Sequence, residues 1–333
     1  MEDKLEYARR LRSELQSAEE KQASLLDQFR QATRVGDFQK ILKDIPFIKE
    51  PDAVEKAKAL FLDKQRNATV RSLALQKITT AILGDGAFIS QCLAVLADPV
   101  EPVLLRKNVL NVLGALSFAS PVFRAMRSDY LAVLRGLLDD PDPGLREEAA
   151  GMLANEQDEF VQNRLLNGLK GDEKPIVSTA KAIQLLSRDA HANYYPVVRE
   201  ILQNPETDKT ARVEAIHALA FDQESKPLLA RLFSDKRQSK EVRMSSATAF
   251  QAAHPDDFIE LAKPVILDEK EKKDIRAVSL NALMHHRDAD AIYADEQFRT
   301  KVSRLKAPKS APELKKLSKQ YLEKANRFRK TDQ

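Results

Sequence analysis

An apolar residue, an Arg, two spacers, a small residue, an apolar residue, two spacers and a large apolar residue recur down this chain. The first copy is Val70-Arg71 with Ala74, Leu75 and Ile78. It returns at Leu105-Arg106 with Val109, Leu110 and Leu113, and at Leu145-Arg146 with Ala149, Ala150 and Leu153. A degenerate copy follows at Ser178-Thr179, and full copies return at Ala211-Arg212, Val242-Arg243 and Ile275-Arg276. The Arg-equivalent positions are 71, 106, 146, 179, 212, 243 and 276, so successive units lie 35, 40, 33, 33, 31 and 33 residues apart. Spacings of three and four inside each copy place the apolar positions on one helix face, and a fixed period near 33 predicts a stack of helical pairs. The expected fold class is all-α, a right-handed α-α superhelix over residues 67–305.

Each second helix carries its own apolar stripe: Phe123, Met126, Tyr130, Leu134 and Leu138; Phe160, Leu165 and Leu169; Tyr194, Val198, Ile201 and Leu202. Asp98-Pro99, Asp140-Pro141-Asp142-Pro143-Gly144 and Asn204-Pro205 separate units, since Pro opens one helix and forbids continuation of the last. The 40-residue interval predicts a longer second helix, about 120–138. Residues 35–66 predict a divergent pair, stopped at Pro46 and reopened at Pro51. Residues 1–34 predict one long amphipathic helix. Ala8, Leu11, Leu15, Ala18, Gln22, Leu25, Phe29 and Ala32 alternate spacings of three and four, a weak heptad seam. It reads either as a short dimerising coiled coil or as a cap on the first pair.

The run Leu-Arg-Glu-Glu-Ala-Ala-Gly-Met-Leu at 145–153, after its Asp-Pro turn, resembles the HEAT repeat. In that family the submotif Arg resembles a structural residue that pairs with an inter-repeat Asp. The resemblance therefore implies a ladder of Arg71, Arg106, Arg146, Arg212, Arg243 and Arg276, with Asp98, Asp140, Asp172, Asp208, Asp235 and Asp274 as candidate partners. Thr179 interrupts it. The family also implies that second helices line a concave contact surface, where helix phase selects Arg127, Asn163, Asn167, Tyr195, Arg199, Arg231 and Lys263.

Composition narrows the chemistry. Nine glycines in 333 residues argue against glycine-rich nucleotide loops. The one cysteine, Cys92, falls in an apolar run and forbids an internal disulfide. The histidines, His191, His217, His254, His285 and His286, have no zinc spacing. The run His285-His286-Arg287-Asp288 reads as a solvated turn rather than a metal site, and no cofactor is expected. No run approaches 18 apolar residues and no signal core opens the chain, so the expectation is a cytoplasmic protein without a membrane span.

The net charge of +4 hides a division. Residues 299–333 hold 12 Lys or Arg against 3 Asp or Glu. In the tail, 306–333, Leu314, Leu317, Tyr321, Ala325 and Phe328 make one helix face. Lys315, Lys316, Lys319, Lys324, Arg327, Arg329 and Lys330 surround it. This basic C-terminal helix reads as a cap on the last repeat or as a site for an acidic protein, nucleic acid or anionic membrane surface. Truncation after Pro308 is expected to cost only modest stability. The functional expectation is a non-enzymatic HEAT-repeat scaffold binding a protein partner. A nucleic-acid-associated solenoid is the first alternative. A phycobilin-lyase-like accessory is the second, since that branch shares the repeat, though nothing marks a tetrapyrrole site.

Overall fold

The computed structural model describes residues 2–189, 193–287, 289–305 and 312–331. Every regular element among them is helical, as the all-α expectation requires. The chain divides after Val161 into two compact units.

The first unit opens with α1 (Glu2–Gln31), α2 (Val35–Asp44) and α3 (Pro51–Leu62). Leu26, Phe29 and Ala32 are buried, with the Phe29 ring edge-on to Phe38 at 6.0 Å. Lys56 Nζ donates to the carbonyls of Arg30 at 2.7 Å and Ala32 at 2.9 Å, satisfying groups at the C-terminal end of α1 that have no intrahelical partner. The seam behaves in two ways. Its C-terminal third is a cap, while Leu11 and Leu15 are 45% and 58% exposed. Ala8, whose side chain lies outside the described ones, is not placed.

Helical pairs follow: α4 (Ala68–Ile78) with α5 (Gly86–Ala97), then α6 (Val103–Ala119) with α7 (Arg127–Gly136), then α8 (Pro143–Asn155); the division falls within α9 (Glu159–Lys170), most of which belongs to the second unit. Caps set the entry points. Asn67, Asp85 and Asp142 accept from the backbone N–H three residues on, each worth about 1 kcal/mol. The small residue of the submotif disappears into the helix–helix contact, so Ala74 and Ala149 are fully buried. The large one fills the gap behind, as Ile78, Leu113 and Leu153 do. Each such aliphatic contributes about 1.5–3 kcal/mol. The long second helix expected over 120–138 is instead broken. A 3-10 turn at Val122–Met126 precedes α7, and another at Leu137–Asp139 follows it. Pro121 and the terminal carbonyls account for tight turns at both ends.

The second unit continues with α10 (Thr179–Leu186), α11 (Tyr195–Gln203), α12 (Lys209–Ala218), α13 (Lys226–Ser234), α14 (Lys240–Ala253), α15 (Pro255–Leu267) and α16 (Lys273–Met284). Two short helices, α17 (Ala289–Ala294) and α18 (Glu296–Arg304), then lie under the long α19 (Pro312–Thr331). Leu314, Ser318, Tyr321, Leu322 and Ala325 of α19 are buried against α16, α17 and α18.

The submotif arginines join three helices at a time. Arg71, Arg106, Arg243 and Arg276 each donate Nε–H to the carbonyl ten residues back, at the end of the preceding second helix: Phe61, Leu96, Phe233 and Ile266, at 2.7–2.9 Å. The guanidinium tip of three of them then reaches forward to an acid of the next turn. Arg71 forks onto Glu101 (2.5 and 3.0 Å), Arg106 onto Asp140 (2.6 Å) and Arg243 onto Glu271 (2.6 and 2.7 Å). Only Asp140 was among the aspartates expected. In the other two turns the acid lies three residues beyond the Asp, in Asp98-Pro-Val-Glu101 and Asp268-Glu-Lys-Glu271. Asp208 caps α12, Asp235 takes Arg237, and Asp98 and Asp274 take Lys64 and Lys240. Arg146 donates to the Asp140 and Pro141 carbonyls, and Arg212 reaches Gln238 in place of an Asp.

These pairs make stability pH-dependent. Hydrogen bonds from Arg71 hold the Glu101 carboxyl below its ordinary value. At Glu271 burial acts to raise the carboxyl, but the hydrogen bonds from Arg243 and the Lys272 N–H outweigh it and the net direction is down. A depressed carboxyl stabilises fully above its unfolded value, about 4.3 for Glu, and the contribution is lost as pH falls through the folded value. The melting temperature should therefore hold above about pH 5 and fall steeply below about pH 4. Melts across that window should show a flatter acid limb for Glu271→Gln; an identical limb would remove Glu271 from the acid transition.

Candidate interaction surfaces

The second helices carry a further series of polar pairs. Lys58 reaches Asp85 (2.6 Å), Arg135 Asp158 (2.5 Å), Gln162 Asp189 (2.5 Å), Arg199 Asp222 (2.5 Å), Lys226 Asp257 (2.6 Å) and Lys263 Asp295 (2.9 Å). Each acid sits at or near the start of the next second helix. There it also favours the positive end of the helix dipole, and Asp85, Asp158 and Asp295 accept from its N–H groups.

This changes the reading of the seven positions selected from helix phase. Arg199 is held by Asp222 and by Glu224 at 2.7 Å. Lys263 is held by Asp295 and Glu260, and Arg127 by Glu156. Asn167 donates to Glu173 at 2.8 Å, and the half-buried Tyr195 stands edge-on to Tyr194 at 4.7 Å. Asn163 and Arg231 remain exposed. A cation already neutralised at one charge-assisted bond has less to offer a partner. Sequence reasoning missed the pairs between successive second helices because the donor and its acid stand 23–32 residues apart, with no local signature.

One surface groove of about 400 Å³ does collect functional-looking groups. Ser117, Phe118 and Ser120 at the end of α6, Arg124, Arg127 and Tyr130 around α7, and Glu156 line it. Phe118 is 85% exposed, while Tyr130 is buried and donates to Met152 Sδ at 3.2 Å. Burial pushes the Tyr130 phenol up to about 12. A second groove of about 500 Å³ between α5 and α7 is lined chiefly by Ala97, Pro99, Ala132, Val133, Gly136 and Leu137.

The titratable candidates are dispersed. His286 is buried, its Nε2 4.0 Å from Asp256 Oδ1, and not in a solvated turn as expected; neighbouring His285 is exposed. His254 is buried against the Phe250 ring at 5.2 Å, and His217 is exposed. His191 and Asp288 lie outside the described residues. No group of three His, Cys, Asp or Glu side chains suited to a metal occurs among the described residues. Cys92 is buried, and burial pushes its thiol up to about 12, so it stays protonated at neutral pH. No single helix among the described residues is long and apolar enough to cross a membrane.

The basic helix is the densest charged feature. Lys315, Lys316, Lys319, Lys324 and Arg327 are exposed around the buried stripe. Lys319 stands 3.9 Å from Glu323. The side chains of Arg329 and Lys330 lie outside the described ones. Leu317 and Phe328 are half-buried, and the interior of the stripe is Leu314, Tyr321 and Ala325.

No family model and no curated protein matches the chain. Among solved structures it is similar to human deoxyhypusine hydroxylase in complex with glycerol. The identity is 13%, the match covers 76% of this chain and 99% of that one, and the TM-score is 0.33. A likeness of that size transfers no residue and no activity. The neighbour is nevertheless an enzyme, and the expectation of a non-enzymatic scaffold is corrected on that finding. Neither the nucleic-acid nor the phycobilin-lyase alternative gains support from the match.

Proposed function

We propose that the chain is a HEAT-like repeat protein that docks an acidic protein surface on the exposed cations of α19. The supporting observation is how that helix divides its faces. Its apolar side is consumed by packing on α16–α18, and that packing needs no charge. Lys315, Lys316 and Lys324 nonetheless stand in solvent with no ion pair among the described residues. Such a row raises association rates and sets partner choice through complementary potential. Of the two aromatics of the stripe, Tyr321 is fully buried and Phe328 half-buried, so α19 lacks the row of exposed rings on which unpaired bases stack.

Charge reversal tests this without disturbing the packed face. Lys315→Glu, Lys316→Glu and Lys319→Glu together should leave the melting temperature close to wild type. Calorimetric titration with poly-L-glutamate should show binding to the intact chain that weakens steeply with salt, and at least about a tenfold loss in the triple variant. Equal affinity in both proteins would sink the proposal. Preference for duplex DNA over poly-L-glutamate at matched charge would reassign the partner class.

A further inference from the structure

The first helix carries an apolar line that its own chain covers for only part of its length. From Leu26 onward the line lies under α2 and α3. Upstream, Tyr7, Leu11 and Leu15 are 68%, 45% and 58% exposed, and every described side chain from Arg10 to Lys21 is exposed. An unsupported helix of this length is marginal in water. Its own surface pairs, Arg10 with Glu14 at 2.9 Å and Gln16 with Glu20 at 3.2 Å, add only a few tenths of a kcal/mol. An exposed seam on a projecting helix calls for a second helix.

The charges beside the seam say which helix and in which direction. With Leu15 and Gln22 at heptad position a and Leu11, Ala18 and Leu25 at d, the flanking g positions are Glu14 and Lys21. The flanking e positions are Arg12 and Glu19. In a parallel, in-register pair Glu14 would face Glu19 of the second copy, a repulsion repeated on the other side. In an antiparallel pair with Leu15 on Ala18 and Leu11 on Gln22, every layer sets a large side chain against a smaller or flexible one. Glu14 then meets Lys21 and Arg12 meets Glu19, each twice by two-fold symmetry. We infer that α1 pairs with α1 of a second copy of this chain as an antiparallel coiled coil over about residues 11–22, in the register just described. In each copy the residues before the paired stretch must turn clear of α2 and α3 of the other, since these hold the far end of the same face. This contact is separate from α19 and independent of the acidic partner proposed there.

Sedimentation equilibrium of the full chain over a range of concentrations decides it. The wild type should show a reversible monomer–dimer equilibrium, weakened by salt, and Leu15→Asp should be monomeric with an unchanged melt of the body. Glu14→Lys turns two attractions into two repulsions and should raise the dissociation constant about tenfold, as should Lys21→Glu. Combining Glu14→Lys with Lys21→Glu should restore wild-type association. A monomeric wild type at every concentration would overturn the inference. So would tighter association of Glu14→Lys, the sign a parallel pair requires.

Discussion

Arg243→Ala is expected to destabilise the second unit by about 3–5 kcal/mol, because it breaks a buried ion pair from one side. Arg243 is fully buried, forks onto Glu271, and donates to the Phe233 carbonyl at 2.7 Å. Truncation leaves a buried carboxylate and a helix-end carbonyl without their donor, and the loss of those bonds is what costs. For a unit of this size the first thermal transition should drop by roughly 10 °C. Arg146→Ala is the matched control. That guanidinium is half-buried, where solvent screens its interactions, so a smaller loss of about 1 kcal/mol is expected. Replacing Arg243 and Glu271 together by Met and Leu should recover most of the loss, since an apolar pair carries no desolvation cost. Calorimetric melts of the four proteins check this. Arg243→Ala melting within about 2 °C of wild type would show that the pair is not a structural tie.

The helical class was legible because its signal is local. The small residue three positions after the Arg and the apolar residue four further on are set by the helical period, and Ala74, Ala215 and Leu219 are fully buried as that period requires. The broken second helix over 122–139 was not legible. The apolar spacing of an α-helix and of a 3-10 turn look alike over one turn, and Phe123 and Leu138 are buried in either case. The two fates of the α1 seam were also hidden. Heptad spacing marks a face that wants burial but does not say whether the cover comes from the same chain.

Polar partners were the least legible part. Arg71 and Glu101 are 30 residues apart, and only the geometry of the Asp-x-x-Glu turn puts the glutamate, rather than the aspartate, in reach. The cations Arg127, Arg199 and Lys263 were chosen from helix phase on the second helices, and each is held by an acid. What phase could not show was Asp222 waiting for Arg199, or Asp295 for Lys263. A helix wheel gives the direction of a side chain and nothing about the neighbour's charge. The basic tail was visible as composition, whereas its separation into a buried apolar face and a solvated cationic face needed the packing against α16–α18.

That packing reverses the expectation for the tail. Removing α19 should cost far more than the modest amount expected from its terminal position. Leu314, Tyr321, Leu322 and Ala325 are each under 8% exposed, and each large one contributes about 1.5–3 kcal/mol by burial. Tyr321 also donates its hydroxyl to the Ile292 carbonyl at 2.9 Å, and its ring lies 5.6 Å from both Tyr293 and Phe298. Without α19, the short helices α17 and α18 lose the surface they lean on, and helices of six and nine residues do not persist alone. A chain ending before Pro312 should therefore show a new low-temperature transition, exposed apolar surface detectable by a hydrophobic dye, and rapid proteolysis after Met284. The single change Tyr321→Ala should reproduce part of this, at about 3–5 kcal/mol. The triple Lys→Glu variant on the opposite face should reproduce none of it. If the truncated chain melts like wild type while Tyr321→Ala does not, strain at the substituted site rather than loss of the cap would be the cause. If both melt like wild type, α19 is not a structural element of the last repeats, and its buried face would have to be explained by a partner.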